Sequence, residues 1–218
     1  NTGSQLDPEF TKRNGDANPF NADNYKPPTD DQKYKKLCAF DANNDGNTDM
    51  YVGQKDGTVR FYKNIKIFGV FFFVEQTGTN NPFNGVDVGT HASPAIMDFE
   101  GTGVYHAFVG NGDGEVYGYQ NTGTRTNPVY SAGGGAGACD TIANPGCDDK
   151  RRLEGAGHPM SGIDVETFAT LFVFDYNDDG DSDLFVGNGD GQIKLFPKAS
   201  GQQYGPNGLG TENPFHGI

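Results

Sequence analysis

The sequence predicts an all-β fold built from β-propeller-type repeats of short antiparallel strands, and three observations support this prediction. Glycine provides 33 of the 218 residues. That is about twice its usual share of ~7 %, and no collagen-like period explains the excess, so many turns are expected. The strongest apolar run has the length of a strand, whereas a membrane-spanning helix needs about 18 apolar residues. One motif occurs three times along the chain, and such repetition is typical of blades and solenoids.

The repeated motif begins with an aspartate that follows an apolar run, and its three copies start at Asp41, Asp98 and Asp175. An acidic, glycine-containing loop comes next, followed by a short apolar strand such as Met50–Gly53 or Leu184–Gly187. Short strands separated by turns and repeated along the chain are typical of propeller blades. A stacked solenoid or a sandwich is the alternative.

Each copy predicts the same order of elements. Apolar runs that enter the loops predict the first strands, at 36–40, 95–97 and 171–174. Asp-Gly pairs follow the second strands, at 56–57, 113–114 and 190–191. These pairs predict tight hairpins, because glycine readily adopts the positive φ that such turns need. The next strands alternate polar and apolar residues, as in 58–61 and 192–195. The apolar run Ile67–Val74 has the length of one further strand.

The first and third acidic loops carry oxygen-bearing side chains at positions one, three, five, seven and nine. In the first loop these residues are Asp41, Asn43, Asp45, Asn47 and Asp49. In the third loop they are Asp175, Asn177, Asp179, Asp181 and Asp183. Clustered carboxylates repel one another unless a cation neutralises them. This number of hard oxygen ligands fits the relaxed coordination of Ca²⁺ better than the strictly octahedral coordination of Mg²⁺. The sequence therefore predicts two calcium sites. An Asx-rich turn without metal is the alternative.

The second loop departs from this pattern. Asp98 and Glu100 stand at positions one and three, but Thr102 and His106 replace the carboxylates at positions five and nine. The sequence therefore predicts a weak or empty third calcium site. An EF-hand is excluded for the other two loops, because position twelve holds valine instead of a bidentate glutamate and strands flank the loops.

In the three stretches 40–62, 97–119 and 174–196, the chain resembles the FG-GAP and VCBS repeat families. These families form the blades of integrin alpha-subunit propellers and of many surface proteins. The resemblance implies calcium in the Asp-rich loops and roles in adhesion, assembly or ligand presentation, with lectins or polysaccharide lyases as a minority. Such propellers contain more blades than three, which implies a longer parent protein or an unusually small assembly.

The repeats divide the chain into four predicted units. They are 1–64, 65–120 with the degenerate calcium loop, 121–197 with an insertion at 131–159, and 198–218. The last unit is predicted to be the start of a fourth repeat within a longer protein, because Asn213–Phe215 repeats Asn81–Phe83.

The three cysteines give information about the redox environment in which the protein is found. Cys139 and Cys147 flank a short glycine-rich stretch and can close a loop by a disulfide, which would favour an oxidising compartment. Cys38 lies in an apolar run and is predicted to be a small buried hydrophobe. A secreted or cell-surface location is expected.

The formal net charge of -13 argues against a nucleic-acid partner, since phosphate binding requires a basic face. The sequence contains no zinc-protease, nucleophile-elbow or Walker motif. It predicts a non-enzymatic calcium-binding repeat module for extracellular adhesion, structural assembly or protein–protein interaction, with a protein or glycan partner. The alternative is a carbohydrate-binding propeller or a polysaccharide lyase, which the tyrosine-rich strands and the basic cluster Lys150–Arg152 favour.

Overall fold

The computed structural model of the chain describes residues 12, 35–41, 43–98, 101–130 and 163–198. These residues form ten β-strands, one short 3-10 turn at Gly78–Asn80 and no α-helix, so the predicted all-β class is confirmed. The insertion at 131–159, the Cys139–Cys147 pair and residues 199–218 of the predicted fourth unit lie outside the described residues.

Three separate antiparallel sheets correspond to the three copies of the motif. The first contains β1 (Lys36–Phe40), β2 (Asp49–Gly53), β3 (Val59–Ile67) and β4 (Val70–Gln76), in that order. The second contains β5 (Ser93–Met97), β6 (His106–Gly110) and β7 (Val116–Tyr119), in that order. The third contains β8 (Thr170–Phe174), β9 (Asp183–Gly187) and β10 (Ile193–Phe196), in that order. Each acidic loop joins the first two strands of its sheet, and each Asp-Gly hairpin joins the second strand to the third.

The apolar run Ile67–Val74, which has the length of a strand, is divided between β3 and β4. A two-residue turn at Phe68 and Gly69 divides it, with Ile67 paired to Val70 across the hairpin. Both turn residues have positive φ, 50° and 84°, a combination that matches the twist of a tight hairpin. The first sheet therefore continues to Gln76, past residue 64, where the sequence placed the end of the first unit.

The sheets pack face to face in chain order. β5 of the second sheet contacts β1 and β2, while β8 of the third sheet contacts β5 and β6. Every residue of β5, β6 and β7 is buried, because the second sheet lies between the other two. Burial of both faces explains why these strands are mostly apolar instead of alternating.

Aromatic side chains fill the core between the first two sheets, where Tyr51, Phe61 and Tyr117 are buried together. The core between the second and third sheets is mainly aliphatic and includes Leu171 and Leu184. Cys38, predicted to be a small buried hydrophobe, is partly buried and packs against the first of these cores.

Each connecting segment hydrogen-bonds to the hairpin of the preceding sheet. The N–H groups of Val88, His91 and Ala92 donate to the carbonyl oxygens of Gly57, Lys55 and Gln54 at 3.0, 2.9 and 2.9 Å. The N–H groups of Val165, Phe168 and Ala169 donate to Gly114, Gly112 and Asn111 at 2.9, 3.0 and 2.9 Å. The two junctions therefore have the same geometry, and each sheet is docked on the one before it.

Candidate metal centre

The first acidic loop curls around its own backbone amides. The two Asp41 carboxylate oxygens accept the N–H groups of Asp45 and Gly46 at 3.1 and 2.9 Å. Asn43 Oδ1 also accepts the Asp45 N–H at 2.9 Å, so oxygens from positions one and three converge on one amide. Asp45 Oδ1 in turn accepts the Asn47 N–H at 2.9 Å.

The third loop has the same hydrogen-bond network. Asp175 accepts the N–H groups of Asp179 and Gly180 at 3.2 and 2.9 Å. Asn177 Oδ1 accepts the Asp179 N–H at 3.1 Å, and Asp179 Oδ1 accepts the Asp181 N–H at 2.8 Å. The identical spacing found in the sequence thus corresponds to identical local structure.

The second loop keeps the curl although it has lost two carboxylates. Asp98 accepts the N–H groups of Thr102 and Gly103 at 3.0 and 2.6 Å. Positions four and six have positive φ in all three loops: 55° and 85° at Asn44 and Gly46, 71° and 81° at Gly101 and Gly103, 57° and 87° at Asp178 and Gly180. Aspartate at position one and glycine at position six therefore suffice for the curl, so the curl alone does not indicate a metal.

Position nine begins the second strand of each sheet, and its side chain is buried in all three copies. Asp49 Oδ1 accepts the Asn64 N–H at 2.8 Å, and Asp183 Oδ1 accepts the Lys198 N–H at 2.9 Å. In the second copy, His106 Nδ1 accepts the Asn121 N–H at 3.2 Å. Each donor lies 15 positions after its acceptor.

We call this contact the position-nine tie, since it joins the end of the loop to the third strand in the first sheet and to the residues just after the third strand in the other two. The tie was not predicted from the sequence, because its donor is a backbone amide and any residue type except proline can supply one. The only available signal was the equal spacing between a position-nine acceptor and the residue 15 positions later.

Two lysines that the sequence analysis overlooked contact the acidic loops. Lys63 Nζ lies 3.5 Å from Asp45 Oδ2, and Lys198 Nζ lies 2.6 Å from Asp181 Oδ1. Burial tends to raise the pKa of Asp45, but hydrogen bonds from Asn47 and Asn43 and the Lys63 charge outweigh it, so this pKa is below its ordinary value. Each of the two loops thus has an ammonium partner among the described residues.

The donor chemistry of the first and third loops fits a hard cation. Asp49 and Asp183 are completely buried, and a buried carboxylate requires hydrogen bonds or a counter-charge. Asp183 accepts the N–H groups of Tyr176 and Lys198 at 3.1 and 2.9 Å, and each carboxylate oxygen has a second lone pair. Carboxylate and amide oxygens are the ligands that Ca²⁺ prefers.

Within the described residues, no group of three or more His, Cys, Asp or Glu side chains is arranged to hold a metal ion. A cation in either loop would therefore need amide or backbone carbonyl oxygens beside the carboxylates. Glu100, one of two acids predicted for the weak third site, is outside the described residues.

No protein-family model matches the chain, and no curated protein matches it. The resemblance to the FG-GAP and VCBS families therefore depends on the repeated motif alone. In the part of the chain that the structure describes, no helix is long and apolar enough to cross a membrane.

Proposed function

We propose that this chain is a non-enzymatic, calcium-binding repeat module of a secreted or cell-surface protein, serving adhesion, assembly or protein–protein interaction. One observation carries the calcium assignment. The buried residue at position nine is an aspartate, Asp49 or Asp183, in the two loops that also have an acid at position five, and a histidine in the loop where position five is Thr102. Buried negative charge thus occurs in the two loops that carry more carboxylates at ligand positions.

The charge balance of the loops supports the same assignment. Three carboxylates stand at ligand positions of the first loop, and four stand at those of the third. In the described part of the chain, Lys63 and Lys198 each contact one loop, and the Arg125 guanidinium donates to Asn44 of the first loop at 3.3 Å, so the carboxylates still outnumber these cations in both loops. A divalent cation would offset that excess, because the attraction between unlike charges is strong where water is partly excluded.

The position of the loops favours a structural role for the ion. Each loop joins the first two strands of its sheet, and its last ligand position is held by the position-nine tie. A cation shared between the loop and Asp49 or Asp183 would stabilise the sheet at that end.

The first experiment measures thermal unfolding of the full chain in EDTA and in millimolar Ca²⁺. A ligand that binds only the native state, at 100 times its Kd, adds about 2.7 kcal/mol per site. For a domain of this size each kcal/mol raises Tm by about 2–4 °C, so a rise of several degrees is expected. An equal Tm in EDTA and calcium would contradict the proposal.

Matched variants show whether the two loops are responsible. Asp45→Asn with Asp179→Asn removes one charge from each loop but keeps the Oδ1 acceptors for the next amides. We expect this double variant to lose most of the calcium-dependent rise. Asp113→Asn with Asp190→Asn removes the same charge from two exposed hairpin positions and should keep the full rise.

The glycan-binding and lyase alternative gains no support from the described strands. The tyrosines that suggested sugar-stacking surfaces, Tyr51, Tyr62, Tyr117 and Tyr119, are buried. The basic cluster Lys150–Arg152 lies outside the described residues.

A further inference from the structure

The outer face of the third sheet, on the side away from the second sheet, is apolar. It consists of Phe172, Phe174, Phe185, Ile193 and Leu195, and we call it the open face. Phe172, Phe174 and Ile193 are 63 %, 44 % and 45 % exposed, whereas Phe185 and Leu195 are buried. The Phe174 ring lies 5.4 Å from the Phe172 ring and stacks on Phe185 at 4.8 Å between centroids, so the two exposed rings adjoin each other above the buried Phe185.

The residues at the motif positions equivalent to those of the open face form faces that are covered in the first two sheets. Its equivalents in the first sheet, Cys38, Phe40, Tyr51, Val59 and Phe61, pack in the core shared with the second sheet. Its equivalents in the second sheet, Ala95, Met97, Phe108 and Val116, pack in the core shared with the third. In both cases the covering residues come from the connecting segment and from the sheet that follow in the chain.

In the first two sheets, the covering segment lies so close to the glycine at the end of the second strand that no side chain would fit there. A Cβ added at Gly53 would overlap the Ala92 carbonyl, and one added at Gly110 would overlap the Ala169 carbonyl. A Cβ at Gly187 would meet nothing closer than 3.9 Å, and those neighbours belong to its own sheet. Among the described residues, the third sheet therefore lacks the segment that covers the first two.

The sequence contains a second copy of the covering segment. Asn213–Ile218 (NPFHGI) repeats Asn81–Val86 (NPFNGV), with a histidine in place of the exposed Asn84. A similar length of chain precedes each copy, residues 63–80 after the first sheet's Tyr62 and residues 197–212 after Phe196.

The first copy shows how such a segment binds the face of a sheet. Asn81 Nδ2 donates to the Val59 carbonyl at 3.0 Å, which holds the segment on β3. The Phe83 ring meets Tyr51 edge-on, with centroids 5.4 Å apart, and Val86 is buried in the same core. Val59 and Tyr51 are the first-sheet equivalents of Ile193 and Phe185.

We propose that Asn213–Ile218 docks on the open face of its own chain. In this arrangement Asn213 donates to the Ile193 carbonyl, Phe215 packs on the exposed Phe172 and Phe174 rings beside Phe185, and Ile218 covers the exposed side of Ile193. The segment stabilises the third sheet by removing aromatic surface from water. This inference does not depend on calcium in the acidic loops.

The test uses the full chain with Phe215→Trp, since the sequence contains no other tryptophan. Docking predicts blue-shifted emission and weak quenching by acrylamide, both independent of protein concentration. Emission at the wavelength of the unfolded chain would overturn the proposal. A blue shift that disappears on dilution, together with a dimer mass in light scattering, would show that a second copy covers the face instead and would also overturn it.

A second variant links the tryptophan to the open face. Adding Ile193→Asp to Phe215→Trp places a charge under the segment, so the emission should move to the red and quenching should increase severalfold. The matched control is Phe68→Asp in the same background, because Phe68 is fully exposed at the hairpin of the first sheet. Equal emission from the two double variants, with unchanged circular dichroism, would contradict docking on this face.

Discussion

At position nine of the second loop, a histidine ring replaces the aspartate of the other two copies and still makes the position-nine tie. His106 Nδ1 can accept the Asn121 N–H only when it carries no proton, which places the ring proton of the neutral side chain on Nε2. The tie is therefore conserved in form among the three sheets while the charge at this position is not. His106 acts in the structure as a buried acceptor.

The exchange of acceptors leads to a stability prediction. His106→Leu should lower the free energy of unfolding by about 1–3 kcal/mol, because it leaves a buried amide without its acceptor. His106→Asp restores the acceptor of the other two copies and should recover part of that loss. Urea denaturation in EDTA measures both without a contribution from bound cations. Equal stability of the two variants would show that the tie contributes little.

Cys38 provides a prediction about reactivity. Burial raises the pKa of its thiol from 9.0 to about 11, and a hydrogen bond with the Ile96 backbone offsets only part of this rise. The thiol therefore stays protonated at pH 8, and iodoacetamide should label it far more slowly in the native chain than in urea. Peptide mapping separates Cys38 from the other two cysteines. Equal labelling rates in the two states would contradict the buried environment.

The sign of the Cys38 effect on stability follows from the raised pKa. The protonated thiol is favoured in the folded state, so its contribution to stability is fully present below pH 9. That contribution decreases as the pH rises above 9 and is lost near the folded-state pKa of about 11.

At the scale of elements, the hairpins show what can and cannot be inferred from local sequence. The Asp-Gly pairs predicted the turns at Gly57, Gly114 and Gly191 correctly, and all three glycines have positive φ. The Phe68-Gly69 turn was missed, because a hydrophobic residue with positive φ carries no turn signal and the flanking residues are apolar on both sides. Burial and strand pairing decide the conformation of such a run, and neither is visible locally.

Alanine substitutions in the Asp-Gly hairpins can separate the free-energy cost of backbone strain in the turn from the contribution of the connecting segment that docks on it. Gly57 and Gly191 have φ of 87° and 81° in equivalent turns. Alanine in such a left-handed conformation costs about 1–2 kcal/mol. At Gly57 the new Cβ would also lie 2.6 Å from the Gly89 amide nitrogen, whereas Gly191 has no described atom within 4 Å.

We therefore expect Gly57→Ala to destabilise the chain clearly more than Gly191→Ala, as measured by urea denaturation. The difference between the two reports the docking of residues 86–92 on the first hairpin. Equal losses would mean that the connecting segment moves away from Gly57 without cost.

For the whole molecule, the three copies of the motif predicted three sheets and the order of strands within each. The stacking of the sheets was not readable from the motif, because it depends on the connecting segments 86–92 and 163–169, whose hydrogen bonds use backbone groups. Calcium binding and closure into a propeller remain predictions. The loops contain suitable oxygens, but the same curl forms around Asp98 without a full ligand set.

The two junctions between sheets are head-to-tail contacts, in which one surface of a repeat always meets a different surface of the next. Contacts of this type leave an unpaired surface at each end and can continue without limit, whereas a two-fold interface is complete after two partners. The number of repeats that associate in one stack therefore depends on the residues that cover its two terminal faces. A chain whose last apolar face is left bare would add copies of itself end to end, so the residues that cover that face also govern whether the protein stays monomeric in solution.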